Sequence, residues 1–329
     1  RVVRYQHSAF VWWDTSSTAG ATEATPLLGR LVDHSDLVNL WQQVWASSQI
    51  NFLCDHCVGT VPLVPGTLYL RTAACAAQQV LQAEWINLIS ASFQSFMFLD
   101  SVVGKFDVRV TYNTESQQVE VKLYDASLQQ WNTHFSIFAT KGTDLEKTLD
   151  PDAARSRCSG MEVSGAEVYQ SIGNAYVGEF QSVAGAWFGD DECLVKMQFH
   201  QQVTEGIPMH LRAVAMLDAA GHPTVLQDPA SCGRPFFFSE LAECQLGSIG
   251  FAQNGHFWAL SSDVGSQHFN SKLQCVSHMG GGQAGYLQPG MLEAARVKRC
   301  MYQTVWQKCD INTTIALATV PALASQGQT

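Results

Sequence analysis

The segment FLCDHCVGTVPLVPGTLYL at 52–70 places one imidazole, His56, ahead of a turn rich in glycine and proline. A neutral histidine, with an unperturbed pKa of about 6.5, can take a proton near neutral pH. Pro65 and Gly66 stand where a helix would begin. A helix N-terminus offers unpaired N–H groups able to polarise a carbonyl. Further on, AVAMLDAAGH at 213–222 sets one carboxylate, Asp218, in an apolar run, with His222 one helical turn on at i+4. Alone, these residues allow blander readings: a satisfied core histidine, and a helix-surface or N-cap carboxylate. An aspartate between Leu217 and Ala219 in an apolar helix fits the surface role poorly.

The elements that must position these groups fall into two similar sets. TLYLRTAACAAQQVLQAEW at 67–85 has alanine-rich helix composition with little polar surface in its first half, as a buried helix requires. INFLCDH at 50–56 is short and β-like. FDVRVTY at 106–112 and VEVKLY at 119–124 alternate apolar and polar residues around a polar NTESQQ loop, and THFSIFAT at 133–140 follows as a third strand. After a polar tract at 141–160 the order returns. GEFQSVAGAWFG and CLVKMQFHQQV read as strands, AVAMLDAAGHPTVLQ as a short buried helix, and GHFWALSSDV as strand. One helix within an antiparallel sheet, found twice, is an α+β architecture.

The bulk composition narrows the class. The chain has 329 residues, 46% of them hydrophobic, enough for two domains or two halves of one. A formal net charge of −10 argues against a general nucleic-acid binder, which needs clustered Lys and Arg. No apolar run is long enough to span a bilayer as a helix. The chain starts at Arg1, without a signal peptide, and reads as a piece of something longer. Its 10 scattered cysteines then read as small buried side chains in a reducing, cytoplasmic compartment. Cys54 and Cys57 form a C-x-x-C, but no second Cys/His pair matches it as a zinc site would require. Gly280–Gly285 fits G-x-G-x-x-G without a surrounding βαβ unit and reads as a flexible loop. No G-x-S-x-G elbow is present. Trp12, Trp13, Trp41 and Trp45 read as packing residues. Arg296, Lys298 and Arg299 form a basic cluster on a solvated strand face or a dock for an acidic carrier protein.

DHCVGTVPLVPGTLYL resembles the active-site histidine segment of polyketide synthase dehydratase domains, whose pattern is His-x-x-x-Gly-x-x-x-x-Pro. His56 and Pro65 keep that spacing; Gly59 lies one residue early, with Thr60 in the usual place. TPLLG at 25–29 is similar to the family's opening HPLLG. NAYVGEFQSV at 174–183 looks like its Gly-Tyr-Gly-Pro-x-Phe segment, keeping Tyr176 and Phe180 while Val177 and Gly178 replace the second glycine and the proline. MLDAAGH matches the Leu-Asp-x-x-x-Gln/His motif through Leu217, Asp218 and His222. RPFFFSEL at 234–241 is similar to a Pro-Phe-Ser segment.

This resemblance implies a double hot-dog fold, two antiparallel sheets each wrapped around a central helix, with the site between the halves. It divides the chain into an entering linker (1–24), an N-terminal hot dog carrying His56 (25–145), a linker (146–160), a C-terminal hot dog carrying Asp218 (161–310) and an exit linker (311–329). It implies dehydration of a β-hydroxyacyl thioester, held on the phosphopantetheine arm of an acyl carrier protein, to the α,β-enoyl thioester. His56 would be the base and Asp218 the acid, protonated near neutral pH by an apolar site. His222 would orient the carboxyl, and an N–H at the Pro65–Gly66 helix start would stabilise the enolate. Gly59, Tyr176, Gly178 and Phe180 would shape the pocket. Neither metal nor redox cofactor is implied; partners would be the carrier protein, neighbouring synthase domains in the same chain, and a second copy in a homodimer. The same fold also serves double-bond migration, pyran formation and product-template cyclisation, or persists as an inactive structural domain. A hot-dog thioesterase is a further class.

Overall fold

The computed structural model describes residues 27–46, 50–99, 105–125, 128–199, 209–227, 232–247, 256–288 and 290–296. The two terminal linkers, Trp12, Trp13, Lys298 and Arg299 lie outside them.

Helix α1 (Gly66–Leu81) forms where alanine and leucine dominate, and the buried β-branched Thr72 turns its hydroxyl onto the Leu68 carbonyl. Pro65 is its extended N-cap, and Gln82, at φ 48°, ends it in the left-handed conformation. The helix therefore stops short of Trp85, which begins strand β5. Its first three turns are buried almost all round, from Thr67 to Ala77. Around it run β1 (Arg30–His34), β2 (Val38–Ala46), β5 (Trp85–Phe93), β6 (Lys105–Asn113), β7 (Gln118–Asp125) and β8 (Gln130–Lys141). The alternation in β6 and β7 turns Phe106, Val108, Val110, Tyr112, Val119, Val121 and Leu123 into the core. Trp41 and Trp45 of β2 are buried with them.

The second half carries α2 (Pro151–Arg157), β9 (Met161–Ser164), α3 (Gly165–Ser171), β10 (Val183–Phe188), β11 (Glu192–Gln198), α4 (Met209–Ala219), β12 (Phe236–Gly247), β13 (His256–Ser262), β14 (Gly265–Phe269) and β15 (Cys275–Tyr286). Val214, Ala215 and Met216 of α4 share one core with Val195, Met197, Phe257 and Ala259 from the strands. Helix α1 packs on α4, so the two helices meet back to back inside the fold.

Four expectations need correction. The two sheets are one: β5 pairs with β8 on one side and β12 on the other, giving among the described residues a continuous thirteen-stranded order β1-β2-β6-β7-β8-β5-β12-β15-β14-β13-β11-β10-β9. The seam pairs Ile86 with Leu246 and Leu88 with Cys244, all buried, so apolar contact reinforces the ladder. Next, INFLCDH is not strand. Asn51–Asp55 is a 3₁₀ turn closed by the His56 N–H on the Leu53 carbonyl, and only the two-residue β3 (Cys57–Val58) and β4 (Val61–Pro62) follow. Third, Gly280–Gly285 is part of strand β15 rather than a loop. Those glycines make room for β12: a Cβ on Gly285 would lie 2.7 Å from the Phe237 ring, and Gly281 has φ 63° opposite Ala242. Last, Arg296 belongs to a helical segment at 291–296, not a strand. The tract between the halves holds α2, capped by Asp150, and buries Ala154.

Candidate functional site

His56 leaves the 3₁₀ turn with its imidazole buried, 6% exposed. Its Nδ1 lies 2.9 Å from the Leu63 carbonyl oxygen. A carbonyl only accepts, so Nδ1 carries the proton and neutral His56 keeps its lone pair on Nε2. That Nε2 is 3.5 Å from Oδ2 of Asp218, which α4 brings from the other half. The same oxygen lies 3.0 Å from His222 Nε2, at the i+4 position read from the sequence. His222 Nδ1 is 3.4 Å from the Tyr169 hydroxyl, which donates to the Phe180 carbonyl and accepts from the Val183 N–H. Asp218 is thus flanked by two imidazoles in a site nearly closed to water.

Aromatic rings fix those imidazoles. Tyr176 stacks on His222 at 4.0 Å with an interplanar angle of 13°, and its ring lies 5.3 Å from that of His56. Phe180 meets His56 edge-on at 5.2 Å. The loop carrying both turns at Gly178, whose φ is 56°; a Cβ there would sit 2.5 Å from Asp55 Oδ2. Gly59 holds the turn between β3 and β4 at φ 59°, in the left-handed region that favours glycine. Pro65 and Gly66 open α1 with no side-chain capping bond, and Gly66 lines the cavity.

Asn174 ties these segments together and went unnoticed in the sequence, although it stands two residues before Tyr176. Its Oδ1 accepts from the Gly59 and Phe236 N–H groups, and its Nδ2 donates to the Tyr176 hydroxyl and the Phe236 carbonyl. All four capacities of the buried amide are used. Tyr169 was missed as well; no spacing rule links position 169 to 222. Arg212 and Glu179, both buried and 3.8 Å apart, join α4 to the aromatic loop.

Charge in the site is coupled. Burial drives the His56 pKa below the ordinary imidazole value, against the opposing pull of Asp218. For Asp218, burial pushes upward, but positive charge on His56 and the hydrogen bond and charge of His222 outweigh it, leaving the carboxyl below its ordinary value. The expectation of a protonated Asp218 therefore does not describe the free site with charged imidazoles. The downward pull needs those charges, however, while burial favours neutral His56. The triad therefore holds protons as a unit rather than residue by residue. Tyr169 and Tyr176 are pushed up by burial and stay neutral.

His56, Asp218, Gly66 and Tyr176 open on one cavity of about 540 Å³ between the halves, otherwise lined largely by apolar side chains such as Leu63, Val64, Leu70, Phe93 and Leu217. Cys54 and Cys57 stand outside its lining; the Cys57 thiol donates to the Cys54 carbonyl. Among the described residues no group of three His, Cys, Asp or Glu side chains is arranged to hold a metal, and no helix is long and apolar enough to cross a membrane.

Residues 25–126 match the family model of the polyketide synthase dehydratase domain. Polyketide synthase GfsB of Streptomyces halstedii is 25% identical over 65% of this chain, which spans only 4% of that protein's length. Among solved structures, an inactive His-to-Phe mutant of the CurJ dehydratase, in complex with a compound, superposes with a TM-score of 0.70 at 16% identity. That match covers 82% of this chain and 99% of the other. An inactive Asp-to-Asn mutant of the CurK dehydratase gives a TM-score of 0.65 at 16% identity, over 80% and 99% of the two chains.

Proposed function

We propose that the chain is a polyketide synthase dehydratase domain, on its family match over residues 25–126 and its double hot-dog fold, and that it removes water from a β-hydroxyacyl thioester delivered by an acyl carrier protein. The observation that carries this reading is the pairing of His56 Nε2 with Asp218 Oδ2, 3.5 Å apart across the two halves, at the wall of an apolar cavity. That a His-to-Phe and an Asp-to-Asn mutant of two dehydratases of this fold are inactive supports the choice of residue types.

Neutral His56 takes the α-proton at Nε2, because Nδ1 is held by Leu63. The electron pair moves toward the thioester carbonyl, and the N-terminal N–H groups of α1 at Gly66 and Thr67, two residues that line the cavity, stabilise that oxygen. The C–O bond at the β-carbon breaks as Asp218 gives its proton to the departing hydroxyl, and water leaves. Asp218 must be protonated at that moment. A substrate that fills the cavity beside neutral His56 leaves burial as the main influence on the carboxyl, and burial raises it. Afterwards His56 is cationic and Asp218 anionic. Their separation lets the proton return from one to the other without solvent, completing the balance. Because base and acid stand side by side, they reach substituents on the same face of the Cα–Cβ bond, so the elimination is syn.

The test is mass spectrometry of a carrier protein loaded with 3-hydroxyacyl chains. An 18 Da loss with wild type and none with His56→Ala is expected. Retained mass with every chain, from folded protein, would sink the dehydration reading.

A further inference from the structure

The inner face of β13, β14 and β15 departs from the apolar pattern of the rest of the core. Phe257, Ala259 and Ser261 alternate inward along β13. By register Ser261 lies opposite Ser266, and His268 lies opposite Ala259 on one side and Ser277 on the other. Four polar side chains so placed form one hydrogen-bonded line: Ser261 to Ser266 at 2.9 Å, Ser266 to His268 Nε2 at 3.1 Å, and His268 Nδ1 to Ser277 at 2.7 Å. Ser261, His268 and Ser277 are buried. Apolar residues would satisfy this face without any network, as Phe257 and Ala259 do one step away. Yet Ser261, Ser266 and His268 line the same cavity as His56 and Asp218.

Resting on the dehydratase reading, we infer that this line is a polar subsite for an oxygen substituent on the acyl chain, away from the carbons that lose water. The natural substrate class is accordingly a polyketide chain bearing a second hydroxyl or ketone rather than a plain aliphatic one. Burial and the neighbouring His278 hold the His268 pKa down to about 3, so its ring is neutral, a donor at one nitrogen and an acceptor at the other. With Nδ1–H donating to Ser277, Ser266 donates to Nε2 and Ser261 to Ser266. The Ser261 oxygen at the open end then accepts from a chain hydroxyl. With the other tautomer the hydroxyl rotors reverse, and Ser261 donates to a ketone. The line can thus read either oxidation level of the same oxygen.

Pantetheine amides of 3-hydroxydecanoate and of its 3,5-, 3,7- and 3,9-dihydroxy counterparts would be titrated calorimetrically into wild type and Ser261→Ala/Ser266→Ala. At least one dihydroxy chain should bind wild type about tenfold more tightly than the parent, the usual worth of one well-placed neutral hydrogen bond. The variant should lose that advantage and bind the parent chain as before, with near-ultraviolet circular dichroism unchanged. If no dihydroxy chain binds wild type more tightly, absence of any binding included, the subsite is overturned. An advantage that survives in the variant overturns it equally. Because binding is read rather than turnover, the subsite stands or falls independently of dehydration. A wild type that keeps the preference but never yields the 18 Da loss would remove the dehydratase reading alone.

Discussion

His56 acts through one nitrogen. Leu63 holds Nδ1, so whatever base chemistry the site performs leaves from Nε2 toward Asp218. Asp218 raises the His56 pKa, and burial lowers it. Replacing the carboxylate with Asp218→Asn removes the upward pull, and the imidazole should titrate at still lower pH. NMR titration of the His56 ring checks the sign, and an unchanged or raised value would break the coupling described above. In wild type the acid limb of kcat/KM should accordingly fall below the ordinary histidine value of about 6.5. His268 governs stability in the same range. Its folded pKa is depressed to about 3, so the unfolded chain binds the proton more readily and stability rises with pH. The contribution is complete above about 6.5 and is lost progressively as pH falls toward 3, on the order of 5 kcal/mol in full. Denaturant midpoints measured at steps from pH 7 to pH 4 should decline, and His268→Gln should flatten that decline. Of the site, His56, Asp218 and His222 were legible because motif and spacing name them. Asn174, Tyr169 and His268 were not, since their partners lie across the fold at positions no local pattern connects.

Elements differ in how plainly their sequences announce them. β6 and β7 alternate cleanly because one face meets α1 and the other meets water. Helix α1 is evident from its alanines. The strands β5, β12 and β15 escaped notice for a shared reason. They form the seam and its neighbour, where polar and small residues interrupt the period and glycines accommodate rings from the next strand. The 3₁₀ turn before His56 looked like strand because Phe52, Leu53 and Cys54, three apolar residues in a row, carry no period at all. Asn174 links three of these elements, namely the β3–β4 turn, the aromatic loop and β12. Asn174→Ala would leave the Gly59 and Phe236 backbone groups without their amide partner, at a cost of about 2–4 kcal/mol. Urea denaturation should show that loss together with lower kcat, because the same bonds hold Tyr176 against His222. A loss confined to kcat, at unaltered stability, would show that the amide is replaceable.

At the scale of the molecule, the halves share one sheet and one hydrophobic cluster, so they should not unfold separately. Trp41 and Trp45 report on the first half, Trp187 and Trp258 on the second. Variants retaining one pair or the other should give coincident denaturant midpoints; two separated transitions would contradict the seam. The doubled order of helix and strands was visible in the sequence, but its joining edge was not, because register between β5 and β12 is set by contacts more than 140 residues apart, as in the pairing of Trp85 with Gly247. That edge has a further consequence. The covalent crossing between halves runs through exposed residues such as Asp144 and Glu146, while seven β5–β12 residue pairs and the packing of α1 on α4 hold the halves by themselves. The peptide bond there is a convenience of synthesis, and a chain nicked at Asp144 should travel as one particle and keep His56 and Asp218 face to face.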